Sequence, residues 1–185
     1  MATKITDFMQ RATREQFSRD FLFRVKNIQI EGVELLGDQQ LLYARTASLP
    51  GRNIENKTVN YFGQTFNVPG KSTYPGSEGY SIEFYHDEDL DIRTTLEKAT
   101  RAVFDNDTST GQYGMPGLED YIILEAIGKD LSSKAEFKLV GASVRSVGEI
   151  QHEIADGTGE IRTFPATFSY HYYENFAKAK SGSAS

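Results

Sequence analysis

The most charged run of the chain, HDEDLDIR at 86–93, is the first place where chemistry could occur. Its three aspartates alternate with other residues, as they do in a calcium-binding loop. That loop also needs a glycine at its sixth position and a bidentate acid at its twelfth, where this chain has Ile92 and Lys98. The run therefore predicts a solvated turn whose acids favour the start of the helix that follows.

Other candidates for catalysis or ligand binding lack the spacing that they need. A second alternating run at 105–109 fails the same calcium test, and His86, His152 and His171 are scattered without metal-ligand spacing. Gly157-Thr158-Gly159 begins like a dinucleotide fingerprint, but no third glycine follows it. These patterns predict no catalytic residue, no cofactor and no metal, so the chain is expected not to be an enzyme.

The composition excludes further classes of function. The 185 residues include no cysteine, which rules out disulfides and thiolate chemistry. A formal net charge of -6 argues against general binding to nucleic-acid phosphates. No apolar leader opens the sequence and no segment approaches transmembrane length, so a soluble protein made inside the cell is expected, without a membrane partner.

Two helices are predicted from the pattern of apolar residues. Helical spacing of apolar side chains predicts a short N-terminal helix over about 4–18. A second helix is predicted over 94–104, because Thr94 and Glu97 have the spacing of a capping box.

Strands are predicted along most of the remaining chain. In the first, at 21–30, the apolar positions slip by one residue, which predicts a bulge near Asn27. Gly37-Asp38, between two apolar stretches, predicts a hairpin turn. Pro165 has no amide donor and is expected at a strand start or on a sheet edge. Alternating apolar residues predict further strands at 80–85, 121–127, 135–144 and 163–173.

The segment 50–79 is long and rich in glycine, proline and asparagine, yet it carries regularly placed apolar residues. This composition favours an extended hairpin with its own turns over an unstructured linker. No internal repeat or break in composition marks a second domain. We therefore expect an N-terminal helical arm at 1–20, a single β domain at 21–176 and a flexible tail at 177–185.

Several short motifs occur in an order and spacing that known proteins share. A Val-Gly-Glu-Ile turn at 147–150 precedes Glu-Ile-x-Thr-Phe-x-x-Thr at 160–167 and a closing tyrosine-containing strand. Earlier, a Phe-x-Val strand at 23–25 precedes an Ala-Ser-Leu-Pro-Gly run at 47–51. In these features the chain, from about residue 20 to 175, resembles the tail tube proteins of contractile-tailed, T4-like bacteriophages. That superfamily also includes type VI secretion tubes.

The resemblance implies a mainly β chain that forms an antiparallel β-barrel or sandwich of phage tail-tube type, with one helix packed on it and a short N-terminal helix. It further implies hexameric rings that stack into the hollow inner tube of a contractile tail. Implied partners are the sheath, tape measure, baseplate and tail terminator proteins, and DNA passes through the lumen without specific binding. The expected location is the virion tail, after assembly in the host cytoplasm.

The candidate residues for ring stacking or subunit contacts follow from this reading. The long segment 50–79 is the expected stacking loop, because long loops in compact domains usually have a function. Its apolar contacts would be Val59, Tyr61, Phe66 and Val68, and further interface candidates are Glu149, Pro165 and His171.

Other functions remain open from the sequence. The tube of a type VI secretion system or a related phage-like injection particle is a close variant of the same reading. A small-molecule-binding β-barrel would instead be a monomer with a closed apolar cavity. A hydrolase using Asp87, Asp89 or Glu149 is the alternative with the least support, since no catalytic motif accompanies these acids.

Overall fold

The structure, a computed structural model, describes residues 5–14, 19–31, 33–152 and 159–177. The elements, in chain order, are α1 (Ile5–Arg14), β1 (Phe23–Ile30), β2 (Val33–Glu34), α2 (Asp38–Leu41), β3 (Ala44–Ala47), β4 (Asn53–Tyr61), β5 (Gln64–Thr73), β6 (Tyr80–Tyr85), α3 (Asp91–Val103), β7 (Phe104–Asp105), β8 (Thr110–Gly111), β9 (Tyr121–Ile127), β10 (Ser133–Val140), β11 (Ser143–Val147), β12 (Thr163–Ser169) and β13 (Tyr172–Ala177). None of the described helices is long and apolar enough to cross a membrane.

Two antiparallel sheets carry the fold, which confirms the predicted mainly β class. The five-stranded sheet has the order β13-β10-β9-β1-β2, and the four-stranded sheet has the order β11-β12-β6-β3. The predicted slip in the first strand is present, as a register shift between Val25 and Asn27. Fully buried residues of both sheets meet in one core, which includes Ile28, Ile122, Leu139, Ile82, Phe84, Phe164 and Phe168.

Two predicted strands are in fact broken, and each passes from one sheet to the other. The strand predicted at 135–144 divides into β10 and β11, and the strand predicted at 163–173 divides into β12 and β13. Gly141 adopts a positive φ of 70° at the first break, and its amide and that of Ala142 both donate to the Asp120 carbonyl, at 2.7 and 3.0 Å. The His171 amide donates to the Val140 carbonyl at 2.9 Å, so the two breaks form one corner.

Gly141→Ala should lower the free energy of unfolding by about 3 kcal/mol. A Cβ at Gly141 would lie 2.0 Å from His171 Cδ2, in addition to the cost of a positive φ. Gly76 is the matched control, because its φ is 78° but the space around it is open, and alanine there should cost about 1 kcal/mol. Urea denaturation measures both values. Adding His171→Ala should recover part of the Gly141→Ala loss, and an equal cost at the two glycines would contradict the corner contact.

The helix boundaries differ from the predicted ones. Helix α3 begins at Asp91 rather than at residue 94, so the capping box at Thr94 and Glu97 is wrong. The Asp87 carboxylate accepts the Asp91 amide at 2.7 Å, which confirms that the acidic turn supports the helix start. Helix α1 ends at Arg14 within the described residues, whereas the prediction extended to about 18, and 15–18 lie outside them.

The hairpin turn predicted at Gly37-Asp38 is also wrong, because the short helix α2 begins there. The Gly37 amide donates to the Gln40 side chain at 3.0 Å, and the Leu41 amide donates to the Gly37 carbonyl at 3.1 Å. Leu36 and Leu41 are both buried on either side of this turn. Burial of two leucines and local capping therefore override the turn propensity of glycine and aspartate.

Pro165 is the third residue of β12, which lies between β11 and β6, so the prediction of a strand start or an edge is wrong. The Pro165 carbonyl accepts the Gly148 amide at 2.7 Å, and the nitrogen of Pro165 faces the same side. A residue with an amide hydrogen would donate there to the Gly148 carbonyl, which instead accepts the Arg93 guanidinium. Arg93 of α3 thus donates to the Gly148 carbonyl in place of the amide hydrogen that proline lacks.

Candidate subunit interface

The segment predicted as an extended hairpin is the hairpin β4–β5, which confirms that prediction. Phe62 and Gly63 connect the strands with φ values of 47° and 76°, the two positive angles of a type I′ turn, whose twist matches that of the strands. All residues from 51 to 72 are exposed. At about 3.3 Å per residue, β4 alone extends about 30 Å. The hairpin therefore projects away from the two sheets.

The register of the hairpin places all four predicted stacking residues on one face. Val59 pairs directly with Phe66, and Tyr61 and Val68 are two residues further along their strands on the same side. The side chains of these four residues are between 47% and 66% exposed. The opposite face is polar and consists of Thr58, Asn60, Thr65 and Asn67.

The two ends of this segment are fixed to the core. The Tyr80 hydroxyl donates to the Ser48 carbonyl at 2.6 Å, which joins the residues before and after the hairpin. Burial raises the pKa of Tyr80 well above its ordinary value, so the hydroxyl stays a donor. The Tyr170 amide donates to the Ser77 carbonyl at 2.8 Å, close to the corner formed by Gly141 and His171. A rigid base thus orients the exposed hairpin.

The four-stranded sheet has two different ends. We call the end where β3 finishes and β6 starts the hairpin end, because the segment 50–79 leaves the sheet there. At the other end, the groove end, β6 finishes and β12 starts, with Thr163 paired to Tyr85. Six residues of β6 separate the two ends by about 20 Å.

An open groove of about 720 Å³ lies at the groove end. Ile161 is 76% exposed within it, and Tyr85 lies nearby with the Arg45 guanidinium 5.9 Å from its ring centre. Its lining consists of Arg45, Tyr85, Glu149, Gln151, Glu160, Ile161, Arg162 and Thr163. The groove therefore combines exposed apolar surface with charged groups.

The charges of this groove are partly compensated inside the chain. The Glu83 carboxylate accepts the Thr163 hydroxyl at 2.7 Å and pairs with Arg45 at 3.2 Å. The Thr163 hydrogen bond, together with the Arg45 charge, lowers the pKa of Glu83. By contrast, Glu149 and Glu160 are exposed and make no ion pair with the described part of the chain. These two carboxylates are available to a partner.

The residues predicted for subunit contacts occupy three places. Val59, Tyr61, Phe66 and Val68 share the apolar face of the hairpin. Glu149 and Pro165 lie towards the groove end, and exposed His171 lies at the corner between the sheets, with its Nε2 3.3 Å from the Pro116 carbonyl oxygen. Their role in contacts between subunits stays a prediction.

Two histidines that are distant in sequence come together at the groove end. The rings of His86 and His152 are 5.7 Å apart, edge to face, and the His86 Nδ1 lies 2.5 Å from the Asp87 carbonyl oxygen. Within the described ranges, however, no three histidine or acidic side chains are grouped so that they could hold a metal ion.

One residue of the hairpin and one residue of the groove were not predicted from the sequence as contact residues. Lys57 pairs with Val68 and therefore lies on the apolar face of the hairpin. Its position two residues before Val59 is a period-two signal that could have identified it. Ile161 lies in the exposed groove, and its sequence context does not distinguish it from a core isoleucine.

At the level of sequence, neither family models nor curated proteins match this chain. Solved structures do match. A chain of the anti-feeding prophage baseplate, determined with six-fold symmetrisation, is 9% identical, with coverage of 88% of this chain and 97% of that chain and a TM-score of 0.61.

Two further assemblies contain chains of similar fold. A chain of the PVC sheath–tube complex, from an extracellular contractile injection system, is 13% identical, covers 96% of this chain and 100% of that chain, and has a TM-score of 0.51. A chain of the anti-feeding prophage tube-terminating cap is 12% identical, with coverage of 89% and 93% and a TM-score of 0.51. The chain thus shares its fold with chains of contractile injection systems, which agrees with the fold that the sequence resemblance implies.

Proposed function

We propose that this chain is a structural tube subunit whose hexameric rings stack into the hollow inner tube of a contractile tail. The observation that carries the proposal is the amphipathic hairpin β4–β5, projecting from a domain of tail-tube fold. An isolated two-stranded hairpin is at best marginally stable in water, so an exposed apolar face of this kind indicates a partner. A subunit of the neighbouring ring is the proposed partner.

The open sheet edges support assembly within a ring. The five-stranded sheet ends in β13, six residues long, on one side and in the two-residue β2 on the other. Pairing β13 with the sheet of a neighbouring subunit would satisfy backbone groups that otherwise invite uncontrolled aggregation. Head-to-tail contacts of this kind close into rings, and the six-fold symmetrisation of the baseplate assembly supports six subunits.

The proposed partners and cargo follow from the tube. A sheath would surround it, a tape measure protein would occupy it during assembly, and baseplate and terminator proteins would close its ends. The net charge of -6 suits a phage tail in which DNA leaves the virion, since the chain offers little neutralisation to sliding phosphates. Assembly would take place in the host cytoplasm.

The tube of an extracellular injection particle is the second candidate, and a specific observation favours it. The three assemblies compared above come from an anti-feeding prophage and an extracellular contractile injection system. Purified native particles distinguish the two functions, because a phage tail is joined to a capsid with nucleic acid and an injection particle is not.

Deletion of 55–68 tests the stacking role of the hairpin. It joins Ile54 to Pro69-Gly70, a dipeptide suited to a tight turn, and removes only exposed residues. We expect the deletion variant to form folded monomers or rings that do not polymerise, whereas the parent forms hollow tubes in negative-stain electron microscopy. Normal tubes from the deletion variant would refute the stacking role, and monodisperse parent monomers at high concentration would refute the tube function.

A finer comparison uses two neighbouring cross-strand pairs. Val59→Ser with Phe66→Ser changes the apolar face, and Thr58→Ser with Asn67→Ser changes the polar face at the adjacent position. Only the first pair should prevent tube formation if the apolar face makes the contact. Equal effects of both pairs would assign the defect to the hairpin backbone rather than to this face.

A further inference from the structure

The hairpin differs in charge from the groove at the opposite end of the sheet. Three basic residues and one acid between 50 and 73 give the hairpin segment a formal charge of +2, although the whole chain carries -6. Glu55 and Lys71 form an ion pair at 3.6 Å. Lys57 makes no ion pair with the described residues and shares the face of Val59 and Phe66.

The groove end has the complementary composition. Its segments 86–91, 149–152 and 159–162 carry six acidic residues and one arginine. The groove lining also includes Arg45, whose charge is compensated by Glu83. The His86 amide donates to the Arg162 carbonyl at 2.8 Å, so the acidic turn lies directly beside the groove. Ile161 supplies exposed apolar surface in the same groove as Glu149 and Glu160, whose carboxylates make no ion pair with the described residues.

We propose that the groove receives the hairpin of the next copy of this chain along the tube axis, an inference that rests on the proposed tube function. The apolar face of the hairpin would contact Ile161 and Tyr85, and Lys57 would pair with Glu149 and Glu160. Because hairpin and groove lie at opposite ends of β6, copies related by translation along the strands bring them together. Such a head-to-tail contact does not close on itself and generates a filament.

Exchange of charges between the two surfaces tests this contact. Lys57→Glu makes the hairpin repel the groove, and Glu149→Lys with Glu160→Lys makes the groove repel the hairpin. For each variant alone, we expect the protein concentration at which rings stack to rise at least about tenfold, because six subunits per ring lose the pair together. Circular dichroism and ring formation should remain those of the parent, since all three residues are exposed.

Mixing the two kinds of preformed rings gives the decisive measurement. In a column of alternating rings, the glutamate-bearing hairpin of the Lys57→Glu ring meets the lysine-bearing groove of the other variant. At the next contact, the unchanged hairpin of that variant meets the unchanged groove of the Lys57→Glu ring. Both contacts are therefore attractive. Electron microscopy should therefore show tubes in the mixture but not in either component. Lys129→Glu changes the charge equally, in the exposed β9–β10 turn, and should leave stacking unaltered.

The outcomes separate this inference from the function on which it rests. Tubes of the parent together with normal stacking of Lys57→Glu, or a mixture that fails to stack, would overturn the groove contact alone. A parent that forms no rings would overturn the tube function and the groove contact with it.

Discussion

Replacing Phe164 with alanine is expected to lower the free energy of unfolding by about 3–5 kcal/mol. Phe164 is fully buried in β12, and its ring stacks on that of Phe84 with the centroids 5.9 Å apart. The two residues are directly paired across β12 and β6, at the centre of the four-stranded sheet. Loss of the ring leaves a cavity in the interior, where close-packed neighbours relax only in part.

The same substitution on the hairpin provides the control. Phe66 is 49% exposed, so Phe66→Ala should change the free energy of unfolding by less than about 0.5 kcal/mol while weakening tube formation. Guanidinium denaturation followed by circular dichroism measures both variants. Equal costs at the two positions would show that the hairpin packs on the core, against the projecting geometry.

Removing the Arg24 side chain is the second change with a large expected effect. Glu125 is 2% exposed in β9, and its carboxylate accepts the Arg24 guanidinium from β1. Arg24→Ala leaves this buried charge without its main partner and should lower the free energy of unfolding by about 3 kcal/mol. This value is near the lower end of the range for breaking a buried ion pair, because Arg24 is half-exposed. Arg24→Leu combined with Glu125→Leu should recover most of the loss, since apolar packing often replaces a buried ion pair.

The cost of Arg24→Ala should depend on pH in a defined direction. Burial, the largest influence, raises the pKa of Glu125, but the hydrogen bond from Arg24 and the charges of Arg24 and Lys26 bring it below its ordinary value. In the parent this carboxylate therefore contributes stability above the pKa of the unfolded chain, and loses it as the pH falls through the lowered pKa. Without Arg24, we expect burial to raise the pKa of Glu125, so the folded variant should become relatively less stable as the pH rises.

The difference between parent and Arg24→Ala should consequently be largest near neutral pH and shrink towards pH 4 or below. Thermal unfolding across this range measures it. A difference that stays constant with pH would show that Arg24 stabilises the sheet through packing alone.

Much of the local structure was predictable because neighbouring residues determine it. The bulge at Asn27 follows from the slip in apolar alternation along β1, and the hairpin β4–β5 follows from turn residues between apolar positions. The acidic turn before α3 was also predictable, although it is the Asp87 carboxylate, and not Thr94, that accepts an amide at the helix start. The path of the turn decides which side chain reaches a free amide, and spacing alone does not.

The sequence by itself determined the mainly β class, the hairpin and its apolar residues, through periodicity and turn chemistry that act over a few positions. Tertiary structure decided where strands change sheets, since Gly141 and His171 form one corner only after 30 residues of chain bring them together. It also decided that Pro165 can lie inside a sheet, because Arg93 of a distant helix occupies the acceptor that proline leaves free. The groove opposite the hairpin likewise exists only when β6, β12 and the segment at 149–151 meet, since pairing between distant strands sets which exposed side chains become neighbours.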